Sequence, residues 1–127
     1  MSTSLQRKLL DRELRQPLET SLVAEDGVSA ASLALAFEEL LGGGSALLPL
    51  LQPHAQRLGT LIKGLTLHPV AQLLLTAAQT ARPEHYAHAV AAMALNGALM
   101  AAGGGDDAAV RLALLCGLLH DVGEMYI

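Results

Sequence analysis

Tryptophan is absent from these 127 residues, and Phe37, Tyr86 and Tyr126 are the only aromatic side chains. A chain so poor in rings offers no platform for stacking successive bases, and a formal net charge of −4 gives no basic footprint for a phosphate backbone. Polymeric nucleic acid is therefore excluded as an expected partner. A small anionic nucleotide is not, because bound cations reverse the local field. Cysteine is nearly absent too: Cys116 is the single one, which excludes a disulfide framework and a cysteine-based zinc site. Lying within a helical pattern, it reads as a small core residue. A secretory signal is also missing. The first fifteen residues are charged and amphipathic where a signal peptide needs an apolar run, so cytoplasmic placement is expected.

Charge is scarce as well. Hydrophobic residues make up 52% of the chain and charged ones 16%, and the charge is concentrated before residue 28. So few charges cannot clothe an ordinary surface. An apolar face is expected to be covered by a second copy of the chain or by another apolar packing partner. The uncharged run over 85–105 approaches membrane-spanning length, but Ala and Gly dominate it and it contains His88 and Asn96. A buried helix accounts for it better, and no membrane partner is expected.

What the chain does have is helical periodicity. No stretch alternates apolar and polar residues long enough for a strand, and Ala and Leu abound, so the fold class is all-α, a multi-helix bundle. A helix over 4–15 ends before Pro17, and a polar connection follows. Residues 1–28 thus form an N-terminal helix and linker, and 29–127 a helical domain. Ser29 caps a helix running to about residue 41, ended by Gly42-Gly43-Gly44. A short apolar piece follows over 46–51. Pro53 opens a helix to about residue 63, Pro69 opens one to about residue 80, and Pro83 opens the next, each proline standing in a first turn. Gly103-Gly104-Gly105 breaks that helix, and Asp106-Asp107 cap the last one, with Asp107 also placed to pair with Arg111 one turn on. The two triple-glycine breaks separate unlike sequences and read as hairpin turns, not as phosphate-binding loops.

The last break organises the candidate chemistry. Gly104 lies 16 residues after His88 and 16 before His120, so in an antiparallel hairpin each histidine stands about 24 Å from the turn. The two meet at the open end. Glu84 lies one turn before His88, and Ala91, Ala92, Leu95, Leu99 and Ala102 continue that stripe as the expected packing seam. On the second helix Ala109, Ala113 and Cys116 lead to His120, and Asp121 follows it. Glu84, His88, His120 and Asp121 together offer nitrogen and carboxylate donors, which suit a divalent transition metal such as iron, manganese or zinc. Each also has a plainer reading. His120-Asp121 can be a polar helix end, Glu84 a first-turn carboxylate, and His88 a hydrogen-bonded core histidine. His85 faces another side and reads as a surface residue, while His54 and His68 read as structural or exposed.

His88 and the pair inside Gly117-Leu118-Leu119-His120-Asp121-Val122-Gly123 resemble the HD superfamily of metal-dependent phosphohydrolases. Glu84, Tyr86-Ala87-His88 and the 32-residue spacing to His120 are most similar to its HD-GYP branch, whose members hydrolyse cyclic di-GMP in bacterial signalling. The resemblance implies that Glu84, His88 and His120 are metal ligands. Asp121 is implied to be a ligand that commonly bridges two metals and serves catalysis. A phosphorylated small molecule or cyclic dinucleotide is the implied substrate. It covers about the last 45 residues well and the rest only as a series of short helices. The family's later ligands are expected beyond Ile127, so the domain is expected to be incomplete at its C-terminus and this chain alone inactive. The sequence contains no Gly-Tyr-Pro motif, and Glu124 stands where the family usually has a lysine. An alternative is a non-catalytic module of the related HDOD type or a degenerate HD domain, in which the scaffold persists without the metal chemistry. A third is a helical dimerisation domain in which the motif is a coincidence.

Overall fold

A computed structural model describes residues 27–125, the last five as backbone only. The helix expected over 4–15 lies outside the described residues. Among those described, every regular element is helical: α1 (Ala30–Gly42), α2 (Leu48–Leu51), a 3-10 turn (Gln52–His54), α3 (Ala55–Lys63), α4 (Pro69–Ala81), α5 (Pro83–Ala102) and α6 (Asp107–Met125). The fold class is all-α.

The helix starts follow from local chemistry. Ser29 caps α1 by accepting the Ser32 amide at 3.3 Å, and the Ser32 hydroxyl accepts the Ser29 amide at 3.1 Å, so two amides left over by the first turn are satisfied reciprocally. At α4 the cap is His68, whose Nδ1 accepts the Val70 amide at 3.1 Å beside Pro69. Asp106 accepts the Ala109 amide at 2.9 Å and caps α6. Pro53 does not open α3 directly. It sits in the 3-10 turn that links α2 to α3, where its missing N–H costs nothing. Gly44 (φ 71°) and Gly104 (φ 90°) occupy the left-handed region within the two triple-glycine turns, a conformation that favours glycine at both points.

The 20-residue helix α5 is the spine. It packs against α1, α4 and α2, and makes its most extensive contact with α6. Phe37, Leu51, Leu58, Ile62, Leu75, Met93, Leu114 and Leu118 are fully buried around it. Val28 is fully buried as well, donating its amide to Thr76 Oγ1 at 2.9 Å and accepting from Gln72 Nε2 at 3.2 Å. The packed body therefore takes in Val28, on the linker side of the boundary expected at residue 29.

Three expectations are corrected here. The stripe Ala91, Ala92, Leu95, Leu99 and Ala102 is not the buried face of α5. That face is Tyr86, Ala89, Val90, Met93, Ala94, Gly97, Ala98 and Ala101, while Leu99 is 55% exposed. Because α5 is apolar on nearly every side, a 3.6-residue period does not select a face. The larger side chains of Val90 and Met93 face the other helices. Of the Ala-Leu stripe, Leu99 and Ala102 are exposed, Ala91, Ala92 and Leu95 are half-buried, and Ala92 lies against Gly117; on α6, Ala109 and Ala113 are likewise half-buried. Cys116 is exposed and not a core residue, whereas Val110, Leu114, Gly117 and Leu118 are buried. Lastly, Asp107 pairs with Arg57 at 2.9 Å and not with Arg111. Arg57 also donates to the Gly105 carbonyl at 2.9 Å, so one guanidinium ties α3 to the hairpin turn. Both partners are substantially exposed, so the tie contributes at most about 1 kcal/mol.

The α5–α6 contact depends on two absent side chains. A Cβ on Gly117 would lie 2.5 Å from the Ala92 carbonyl oxygen, and one on Gly97 would lie 2.5 Å from Leu114 Cδ2. At Gly117 the obstacle is backbone and cannot rotate away. Gly117→Ala is expected to lower the unfolding free energy by about 1–3 kcal/mol in urea titrations. Gly42→Ala, where a Cβ meets nothing within 4 Å, is expected to leave it unchanged or raise it.

Candidate functional site

The same two contacts set the register of the hairpin. Ala92 stands level with Gly117, and Gly97 with Leu114. His88 is one turn before Ala92 and His120 about one turn after Gly117, so their helix positions lie within about one turn of each other at the open end of the hairpin. Both side chains are exposed. Asp121 follows on the same turn of α6, and its side chain lies outside the described residues. Glu84 stands a further turn out, in the first turn of α5, and is exposed. His85 is exposed as well, and His68 is engaged as a helix cap far along the chain.

The structure therefore brings the helix positions of His88 and His120 towards the same end of the hairpin. It does not gather a larger donor set: among the described residues no group of three or more His, Cys, Asp or Glu side chains is placed to hold a metal ion. Two imidazoles are chemically suited to a transition metal, since neutral imidazole nitrogen is its usual protein ligand. A carboxylate from Asp121 would add the oxygen donor that such a pair lacks. Two open grooves exist elsewhere, of about 420 Å³ beside Arg57 and Asp107 and about 320 Å³ between α1 and α3. Neither is lined by His88 or His120. No helix among the described residues is long and apolar enough to cross a membrane.

Two features of the structure carry no local signal in the sequence. Arg57 meets Asp107 across 50 positions, a separation that no helical spacing rule reaches. Tyr86, two residues before His88, turns to the opposite side of α5 and is buried, with its hydroxyl lacking a hydrogen-bond partner among the described residues. Burial pushes its pKa up, and the negative charge of Glu39 adds to the shift.

Comparisons with protein-family models, curated proteins and solved structures give no match in any of the three.

The orphaned hydroxyl generates a signed expectation. The neutral form of Tyr86 is favoured in the folded state, so its contribution is complete below the ordinary tyrosine pKa of about 10 and is lost as pH rises through the higher folded value. Tyr86→Phe removes both the unpaired group and this titration. Urea unfolding at pH 8 is expected to find the variant as stable as the parent or more so, by up to about 1 kcal/mol. The gap should widen in favour of phenylalanine at pH 11.

Proposed function

We propose that the α5–α6 hairpin supplies the first ligands of a metal-dependent phosphohydrolase centre of the HD type, within the branch that hydrolyses cyclic di-GMP. What supports this reading is the register: given the close approach at Gly117 and Ala92, the helix positions of His88 and His120 fall within about one turn of each other, a relation that a shared ion requires. Their sequence context, Leu118-Leu119-His120-Asp121 with His88 upstream, is the part that resembles the family. His88 and His120 would hold the ion through imidazole nitrogen, and Asp121 through its carboxylate. Glu84, exposed at the end of α5, would complete the set only by turning inward. When bound, a divalent transition metal supplies positive charge to phosphate oxygens and acidifies water near neutral pH. The chain's part in this would be to present the donors from two closely packed helices. Glu124, where the family carries a cation, leaves phosphate contact to the metal and to other groups.

A second reading is favoured by one observation, the exposure of Leu35, Leu99 and Leu112 at 63%, 55% and 62%. Such surface suits a non-catalytic HDOD-like or degenerate HD interaction module.

Calorimetric titration of the chain with manganese or zinc separates the two. The phosphohydrolase reading expects binding at micromolar concentrations, reduced at least about tenfold in His88→Ala and in His120→Ala and retained in His85→Ala. Absence of binding, or binding indifferent to residues 88 and 120, overturns it and leaves the interaction module. In that case chelator treatment should leave the melting curve unchanged.

A further inference from the structure

Helix α4 carries no formal charge over its 13 residues. It packs on α5 and α6 through one side, where Leu75 and Ala78 are buried. Another side is open: Val70 is 55% and Leu73 48% exposed, and Ala77 and Ala81 are exposed with them. At about 100° of rotation per residue, these four lie within one arc of about 80°.

The chain enters the packed body beside that arc. Val28 donates its amide to Thr76 Oγ1 at 2.9 Å, and its carbonyl accepts from Gln72 Nε2 at 3.2 Å. Gln72 adjoins Leu73 and Thr76 adjoins Ala77 in sequence, so the backbone at Val28 is fixed about a quarter-turn round α4 from the open side. Residues 1–26 lead away from this point. They lie outside the described residues, and their sequence supplies what the open side lacks. On the helical period expected over 4–15, Leu5, Leu9, Leu10 and Leu14 fall on one half of the circumference and Arg7, Lys8, Asp11, Arg12 and Arg15 on the other. Such a helix would be about 18 Å long, against about 20 Å for α4. The stretch over 16–27 spans up to about 40 Å when extended, so reach does not limit the pairing. A tether of this length also gives an effective concentration in the millimolar range, which favours the chain's own segment over a separate molecule.

We infer that the segment over 4–15 docks its leucines on the open side of α4, along Val70, Leu73 and Ala77, and leaves its charged half to solvent. The charge concentrated before residue 28 then clothes the one flank of α4 that the rest of the chain leaves bare. The inference involves no metal and is independent of the reading of His88 and His120.

Tryptophan fluorescence of the full chain tests it. The chain has no tryptophan, so Leu10→Trp introduces a single indole into the segment. Its emission is expected to be blue-shifted relative to free tryptophan, and unchanged on dilution from about 100 µM to about 1 µM. Leu73→Glu in that background places a charge on the open side and is expected to return the emission to that of a solvated indole. Val70→Glu, one turn away, should do the same, and because both positions are exposed each variant should still unfold cooperatively. Leu99→Glu, at a position 55% exposed on α5, should leave the emission where it was. A solvated indole before any change on α4 overturns the inference. So does a blue-shifted emission that neither α4 variant alters. A blue shift that disappears on dilution also overturns it and assigns the contact to a second copy of the chain.

Discussion

The approach of α6 to the backbone of α5 at Gly117 is the constraint on which most of this molecule depends. With hydrogen in place of a side chain, Gly117 lies against the Ala92 carbonyl, and Gly97 does the same for Leu114 on the other side of the interface. Helices that pack through side chains can slide by a turn at modest cost, because one ridge resembles the next. A contact of glycine against a carbonyl has no equivalent one turn away on α6, where residues 113 and 121 both carry side chains. The register of the hairpin is thereby fixed, and with it the level at which His88 and His120 stand.

Much of the fold was legible in the chain because its punctuation acts locally. Ser29, Pro69, Pro83, Asp106 and the two triple-glycine turns fulfil their expected roles at helix ends, since caps and prolines act through the backbone within three or four residues. That residues 88 and 120 stand towards the same end of the hairpin was legible for the same reason, given a turn at Gly104. The orientation of the helices was not. On α5 nearly every position is apolar, so the stripe through Leu95 and Leu99 and the one through Val90 and Met93 look alike in sequence. Only the volumes that the other helices present decide between them. Cys116 was misplaced by the same ambiguity. The Arg57–Asp107 tie and the buried Tyr86 hydroxyl are products of tertiary placement and had no counterpart in spacing.

The outer side of the hairpin also bears on the scarcity of charge. A domain of this size normally spends charged residues on the outer side of its surface helices. Here the helix pair that carries the candidate ligands has an outer side of Leu, Ala and Cys, with polar groups restricted to its ends and to Asn96. Val110, Leu114 and Leu118 fill the inner side of α6, while Leu99 and Leu112 are more than half exposed.

The central relation, His88 and His120 as joint ligands of one ion, is tested most directly by paramagnetic broadening in solution. Imidazole proton resonances are followed while manganese is added at well below one equivalent. Parallel broadening of the signals of residues 88 and 120, with those of His54 and His68 left sharp, is the predicted result. Broadening of either one without the other, or of all five histidines alike, would contradict it.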